Sequence, residues 1–443
     1  MFSNRDLRKL VIPLMIEQFL ASLMGTVDTM MVSTVGSAAL GGVSLVDSVN
    51  KLVIFLFTAL ATGGTVICSQ YLGRGDRENA SRSARQVLLT AVAMAGVVTL
   101  TLLFTYKGLL RLIFGSVEAD VMYAARAYFF VTLFSYPFIA LFSASSALYR
   151  ANGNTRLPML ISVSCNLLNI AGNALFIFVF RLGVVGAALA TLLSNALAAT
   201  LLTASLIFNK GSIDIGNPLH LHPDLRMIWR VLRVGLPTGI ENAMFQAGKL
   251  VLQSTVSTLG TTAIAANAIT SVLELFTSMP SLGIGLGLVT VVGQCMGAGR
   301  LSEAKYYIKK LSLWSFLTLF VFNWLIFALT RPVTVLSGME PEAADLTVHV
   351  MLVISLVKPL LWPMAFTPSN GCRAAGDVKF TMLFTSASMW LCRVGVSILL
   401  CRVFGMGLLG IWCGYFADWT VRSLCFSLRL RGEKWHRHRL IDA

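Results

Sequence analysis

Residues 11–20 read VIPLMIEQFL, and residues 235–244 read GLPTGIENAM. In each, a proline is followed four residues later by a glutamate in a mostly apolar run: Pro13 and Glu17, then Pro237 and Glu241. The offset is 224 residues (237 minus 13), and the same shift lays Gly36 on Gly260, Ala39 on Ala263 and Gln70 on Gln294. The loop QYLGRGDRENA then meets QCMGAGRLSEA. Further on, YRANGNTR echoes CRAAGDVK at a shift of 223, pairing Arg150 with Arg373 and Gly153 with Gly376. Self-similarity over so long a period means that one structural unit occurs twice.

The solvent of that unit is lipid. Of 443 residues, 56% are hydrophobic and 12% charged, against about 25% charged in soluble domains. Apolar runs long enough to cross a hydrocarbon core predict twelve helices: 8–33, 44–72, 87–106, 122–149, 157–180, 184–208, 227–258, 264–296, 311–330, 343–371, 380–402 and 406–428. Six spans per half is an even number, so the halves are parallel repeats about an axis along the membrane normal. The expected fold is an all-α polytopic membrane protein. Residues 1–208 form an N-lobe, 209–226 a cytoplasmic linker containing Pro218 and Pro223, and 227–443 a C-lobe with a basic tail.

Alternate loops set the orientation. The N-terminus, 73–86, 150–157, 209–234, 297–310, 372–379 and the tail hold 24 of the 35 basic residues, and the opposite loops hold six. By the positive-inside rule both termini are cytoplasmic, in a plasma (inner) membrane. The net charge of +15 lies in short loops without aromatic interleaving, which argues against a nucleic-acid partner. No small-residue cleavage site precedes the first span, so no cleavable signal is expected. The eight cysteines form no C-x-x-C pair and predict neither disulfides nor a metal centre.

The segments VDTMMVSTVGSAALGGVSL, QYLGRGD, RANGNTRLPM, NIAGNALF and RAAGDVKF together resemble the multidrug and toxic compound extrusion (MATE) transporter family, across essentially the whole chain. The resemblance implies a V-shaped pair of lobes around a cavity and export of small organic compounds, often cationic, driven by inward Na⁺ or H⁺. It also implies an N-lobe ion site: Asp28 matches the first-helix aspartate, Asn169 the fifth-helix asparagine and Thr191 the sixth-helix threonine. Where those proteins carry a fifth-helix aspartate, this chain has Asn173. A Na⁺ at Asp28, Asn169 and Asn173 is one form of the site. Other members use C-lobe acids; Glu241 lies a turn before that position, and the tenth span, LVKPLLWPMAF, has no acid there.

Polar side chains in spans are costly and tend to face an interior. An ionised Glu17 costs roughly 2.5–3.5 kcal/mol or more, so with neighbouring Gln18 it either takes part in coupling or binds helices together. Glu17 and Asp28 are 11 residues apart, on nearly the same helix face and about 16 Å apart along the axis. They suit two levels of one cavity wall, with Glu17 and Glu241 at the cytoplasmic end of the cleft between the lobes. Ser162, Asn166, Asn169 and Asn173 form a stripe that either lines an aqueous path or joins helices. In the C-lobe, Glu241, Asn242, Gln246, Lys249 and Gln253 form a second stripe, with Glu274 a candidate partner for Lys249 and Trp362 placed in the same substrate cavity. Asp47 and Lys51 read as a structural i, i+4 pair. Arg393, the image of Asn169, is read as a fixed charge where the other half binds an ion. Pro13 and Pro237 read as hinges, and Pro359, Pro363 and Pro368 predict a helix broken beside the cavity.

The expected function is therefore secondary antiport: export of cationic or amphipathic compounds in exchange for Na⁺ or H⁺, by rocking of the lobes and without a cofactor. The protein is expected to act as a monomer, with small organic substrates and the bilayer as its only partners. A flippase for a lipid-linked precursor is the alternative on the same fold. A membrane-embedded enzyme lacks any nucleophile, metal or phosphate motif.

Overall fold

A computed structural model describes residues 1–115, 117–208, 211, 213–216, 222–437 and 440–441; Pro218 lies outside them. The first half forms α1 (Asn4–Ser33), α2 (Ser37–Arg74), α3 (Arg77–Phe114), α4 (Ala119–Leu133), α5 (Tyr136–Ala151), α6 (Arg156–Asn173) and α7 (Gly183–Phe208). The second forms α8 (Leu225–Ser257), α9 (Thr261–Gly297), α10 (Leu301–Leu336), α11 (Pro341–Ala374), α12 (Val378–Ser388), α13 (Val396–Arg402) and α14 (Gly407–Arg431). α6 runs on into a π-helical turn, Ala174–Val179, and a second such turn, Met389–Gly395, joins α12 to α13. α4 and α5 are one span bent by 49°, where Pro137 enters α5.

Nine helices among the described residues, ten with the bent pair, are long and apolar enough to cross a membrane. α8 and α14 complete the twelve. They are more polar because they carry charge inside the protein: Glu241 on α8, Asp418 and Arg422 on α14. The proline-rich α11 is not broken; it runs unbroken through Pro359, Pro363 and Pro368. Each proline removes one backbone donor, and packing between α9, α10 and α14 holds the helix through the gaps.

The repeat is visible in local chemistry. Gly36 and Gly260 start α2 and α9 at φ of 138° and 93°, a region that favours glycine. At the next corner, Asp76 caps α3, its side chain accepting from the Asn79 backbone N–H at 3.0 Å, which satisfies one orphan donor of the first turn.

By internal contacts the chain forms two compact units, Phe19–Gly239 and Met1–Gln18 with Ile240–Ala443. The repeat halves and the compact units therefore differ: the contacts divide α1 after Gln18 and α8 after Gly239. Two glycines explain the grouping. A side chain at Gly63 of α2 would come within 2.5 Å of the Val231 carbonyl oxygen on α8, and one at Gly287 of α9 within 2.8 Å of Leu10 on α1. The first half of α8 thus packs closely on α2, and the first half of α1 on α9. In one unit α2 is surrounded by α3, α4 and α5; in the other α11 is surrounded by α9, α10 and α14.

Candidate functional site

Within the Phe19–Gly239 unit, Asp28 of α1 faces the end of α6. The Asn173 side-chain amide donates to Asp28 Oδ1 at 2.8 Å. Asn169, one turn earlier, turns its amide nitrogen to the same carboxylate, 2.8 Å from Oδ1 and 3.1 Å from Oδ2. Its oxygen then accepts from the Thr191 hydroxyl at 3.3 Å and backbone N–H at 3.2 Å, and Ser194 Oγ lies 3.4 Å from the same amide. α1, α6 and α7 therefore bring together the four residues that the family resemblance selects.

Asp28, Asn173 and Thr191 open on a cavity of about 340 Å³. Its other polar lining includes Asp47, Asn50 and Lys51 on α2, Tyr128 and Tyr136, and Asn195 on α7. Here the sequence reading needs correction. Asp47 and Lys51 do not form an ion pair within 4 Å; Asp47 accepts from Asn50 at 3.4 Å, and Asn50 accepts from the Tyr136 hydroxyl at 2.7 Å. The signal was present in the sequence: Asp47, Asn50 and Lys51 at i, i+3 and i+4 share a helix face, the one that lines the cavity. Gln18 and Asn166 are half-buried and do not line it.

The donor set suits a small hard cation. The Asp28 carboxylate and the Asn173 amide oxygen are oxygen ligands of the kind such ions take. Asn173 Oδ1 is buried and accepts no hydrogen bond, in a residue 1% exposed. An orphaned buried acceptor beside a carboxylate fits either a bound cation or a proton donor.

The Ile240–Ala443 unit is built differently. Glu241 is bound through both oxygens by Arg373 Nη2, at 3.0 and 2.8 Å, so it is not a free cavity carboxylate. Glu274 is paired not with Lys249 but with Lys358, whose ammonium also donates to Thr277 and Ser278, both at 2.6 Å. Lys249 is exposed and lies 5.1 Å from the Phe245 ring centre; Gln253 is also exposed, and Gln246 half-buried. Of the expected cavity residues, Glu241, Asn242 and Trp362 line a common cavity of about 220 Å³, whereas Gln246, Lys249, Gln253 and Glu274 do not. Glu17 is buried in this unit, and its exposure is 8%.

Sequence reading missed Asp418 altogether. It is fully buried and accepts from Ser388 at 2.5 Å, Arg422 Nε at 2.7 Å, and Arg393 Nε and Nη2 at 2.9 and 2.5 Å. The shift of 224 residues explains the cluster: Arg393 stands where the first half has Asn169, Asp418 where it has Ser194, Tyr415 where it has Thr191, and Leu252 where it has Asp28. The Arg393 guanidinium lies 4.3 Å from the Tyr415 ring centre. An amide and hydroxyl beside a carboxylate in one half become a resident ion pair in the other.

The sequence model of one transporter family, MatE, matches twice, over residues 13–175 and 237–399. The chain belongs to the MatE family. The two matches are 224 residues apart at both ends (237 minus 13, 399 minus 175), so each repeat half of this MatE protein is one copy of the family unit. MatE proteins are membrane transporters rather than enzymes. A probable multidrug resistance protein NorM from Thermotoga maritima is 29% identical over 442 residues, spanning 99% of this chain and 94% of its own length. The Bacillus subtilis transporter YisQ is 26% identical, spanning 96% and 93%. Among solved structures, a MATE crystal structure in complex with MaL6 aligns at a TM-score of 0.88 and 22% identity, covering 96% of this chain and 95% of that one. An outward-facing multidrug resistance MATE transporter of the MOP superfamily gives 0.87 at 22% identity, covering 96% and 94%. These likenesses establish the twelve-helix MATE fold.

Proposed function

We propose that this MatE protein is a secondary antiporter that exports small organic compounds, cationic or amphipathic, in exchange for Na⁺ or H⁺ taken up at Asp28. The observation that carries the reading is the contrast between the halves. Around Asp28 a carboxylate is held by neutral amides beside an orphaned acceptor. At the repeat image, a guanidinium already fills the place. A site whose positive charge is part of the chain cannot exchange it, so the exchangeable cation belongs to the first half.

Asn169, Asn173 and Thr191 position the Asp28 carboxylate, and a cation gained there favours one lobe arrangement while substrate favours another. Each then displaces the other's preferred state. The names of the Thermotoga relative and of the outward-facing transporter support multidrug cargo. The protein works as a monomer in the plasma (inner) membrane, with both termini cytoplasmic, an orientation supported by the basic loops.

The test is transport of a cationic dye by purified protein in proteoliposomes, with Na⁺ and pH gradients imposed separately. One gradient drives dye movement in the wild type, and Asp28→Asn abolishes it while the amount of folded protein is unchanged. Equal gradient-driven transport by Asp28→Asn would overturn the assignment.

A further inference from the structure

Around one cavity of the Ile240–Ala443 unit the linked ion pairs are uneven. Three guanidiniums, Arg373, Arg393 and Arg422, share two carboxylates, Glu241 and Asp418, so this set of bridges carries more positive than negative charge. Arg373 and Arg422 both line the cavity of about 220 Å³. The single carboxylate on its wall, Glu241, is already bound by Arg373.

Three buried polar atoms around this cavity make no hydrogen bond: Arg373 Nε, Thr367 Oγ1 and Ser386 Oγ. Each carries a proton to donate, and Arg373 and Thr367 are 9% and 1% exposed. The remaining wall is aromatic. Trp362 and Phe366 stack at 4.5 Å between centroids, and the Arg422 guanidinium lies 5.3 Å from the Phe366 ring centre. Idle donors, surplus positive charge and flat aromatic faces are together complementary to an aromatic carboxylate. The cavity is smaller than the ~300–1,000 Å³ of sites that enclose a drug-sized molecule, so it takes one end of a ligand.

We propose that this cavity binds the carboxylate end of aromatic acids, anionic or zwitterionic, with Arg373, Thr367 and Ser386 donating to the carboxylate and the Trp362–Phe366 pair holding the ring. The proposal rests on the transport reading for its purpose, because it adds carboxylate-bearing compounds to the amphipathic part of that cargo, but binding at equilibrium needs no ion gradient.

The test compares 4-fluorobenzoate with 4-fluorobenzamide, which share size and ring but differ in charge, by ¹⁹F NMR titration of the full-length protein in detergent. The benzoate binds at least about tenfold more tightly, which corresponds to ~1.4 kcal/mol. In the charge-balanced double variant Glu241→Gln/Arg373→Gln the preference falls to within about twofold. Ser386→Ala removes a single hydroxyl and lowers the preference several-fold, so the proposal remains testable if the double variant does not fold. Equal affinity for the two probes in the wild type, or an undiminished preference in either folded variant, would overturn it. Loss of gradient-driven dye transport with the preference intact would instead count against the antiport reading alone.

Discussion

Asp418→Asn is the substitution whose cost can be worked most fully from the structure. The change keeps the shape of the side chain and removes its charge. Two guanidiniums, each 2% exposed, then lose the anion that both of them contact. Breaking a buried ion pair by removing one partner costs about 3–5 kcal/mol. Arg393 keeps its stacking on Phe245 and Tyr415 at 4.8 and 4.3 Å, so the loss is confined to the contacts with the carboxylate. The expected loss is therefore about 3–5 kcal/mol, or roughly two to four powers of ten in the folding equilibrium. Denaturant unfolding in detergent, followed by tryptophan fluorescence, reads it directly, since Trp419 is the next residue and buried. The triple variant Arg393→Met/Asp418→Asn/Arg422→Met removes all three charges at similar volume. It is expected to recover most of the loss, because uncharged, well-packed replacements of buried ion clusters are often neutral or better. A single variant within about 0.5 kcal/mol of wild type, or a triple variant no more stable than the single, would refute the electrostatic account of this cluster.

Three further outcomes follow from the same geometry. Lys358→Met leaves the Glu274 carboxylate without its ammonium and costs ~3–5 kcal/mol, most of which returns when Glu274→Gln is added; denaturant unfolding of both variants measures it. Gly63→Ala forces a methyl against the Val231 carbonyl, 2.5 Å away, and lowers stability by about 1–3 kcal/mol, whereas an unchanged midpoint would place α8 farther from α2. Asp76→Ala removes the cap of α3 and costs about 0.5–2 kcal/mol near neutral pH. Hydrogen bonds from Asn79 hold the Asp76 carboxyl below its usual range. Its contribution is therefore present above the unfolded value, ~3.9, and is lost as pH falls through the folded one. The difference between wild type and variant shrinks on acidification, and a difference that grew would contradict the capping role.

The fold was legible because lipid and repetition both leave strong marks on a sequence. The Pro13–Glu17 and Pro237–Glu241 echo delivered two six-helix halves, and apolar run lengths delivered the spans. What the echo could not show is that α1 and α8 divide at Gln18 and Gly239 between compact units; that depends on close packing at glycines far away in sequence.

The Asp28 cluster was legible through family resemblance, whereas Asp47 was misread because an i, i+4 acid and base suggest each other. Glu241 and Glu274 were visible as acids, but their partners Arg373 and Lys358 lie 132 and 84 residues away, beyond any local spacing. Asp418 was overlooked although the repeat pointed to it: the shift that laid Arg393 on Asn169 also lays Asp418 on Ser194. Three prolines in α11 suggested a break, and surrounding helices override that local preference.

The central claim is that the exchangeable cation sits at Asp28 and nowhere in the second half. Its most direct test counts the cations released when a cationic substrate binds to the purified protein, with radioactive Na⁺ and a pH indicator read in the same sample. The account predicts one Na⁺ or H⁺ released per substrate bound in the wild type and none in Asp28→Asn. Release of one cation by Asp28→Asn at the same substrate occupancy would contradict it.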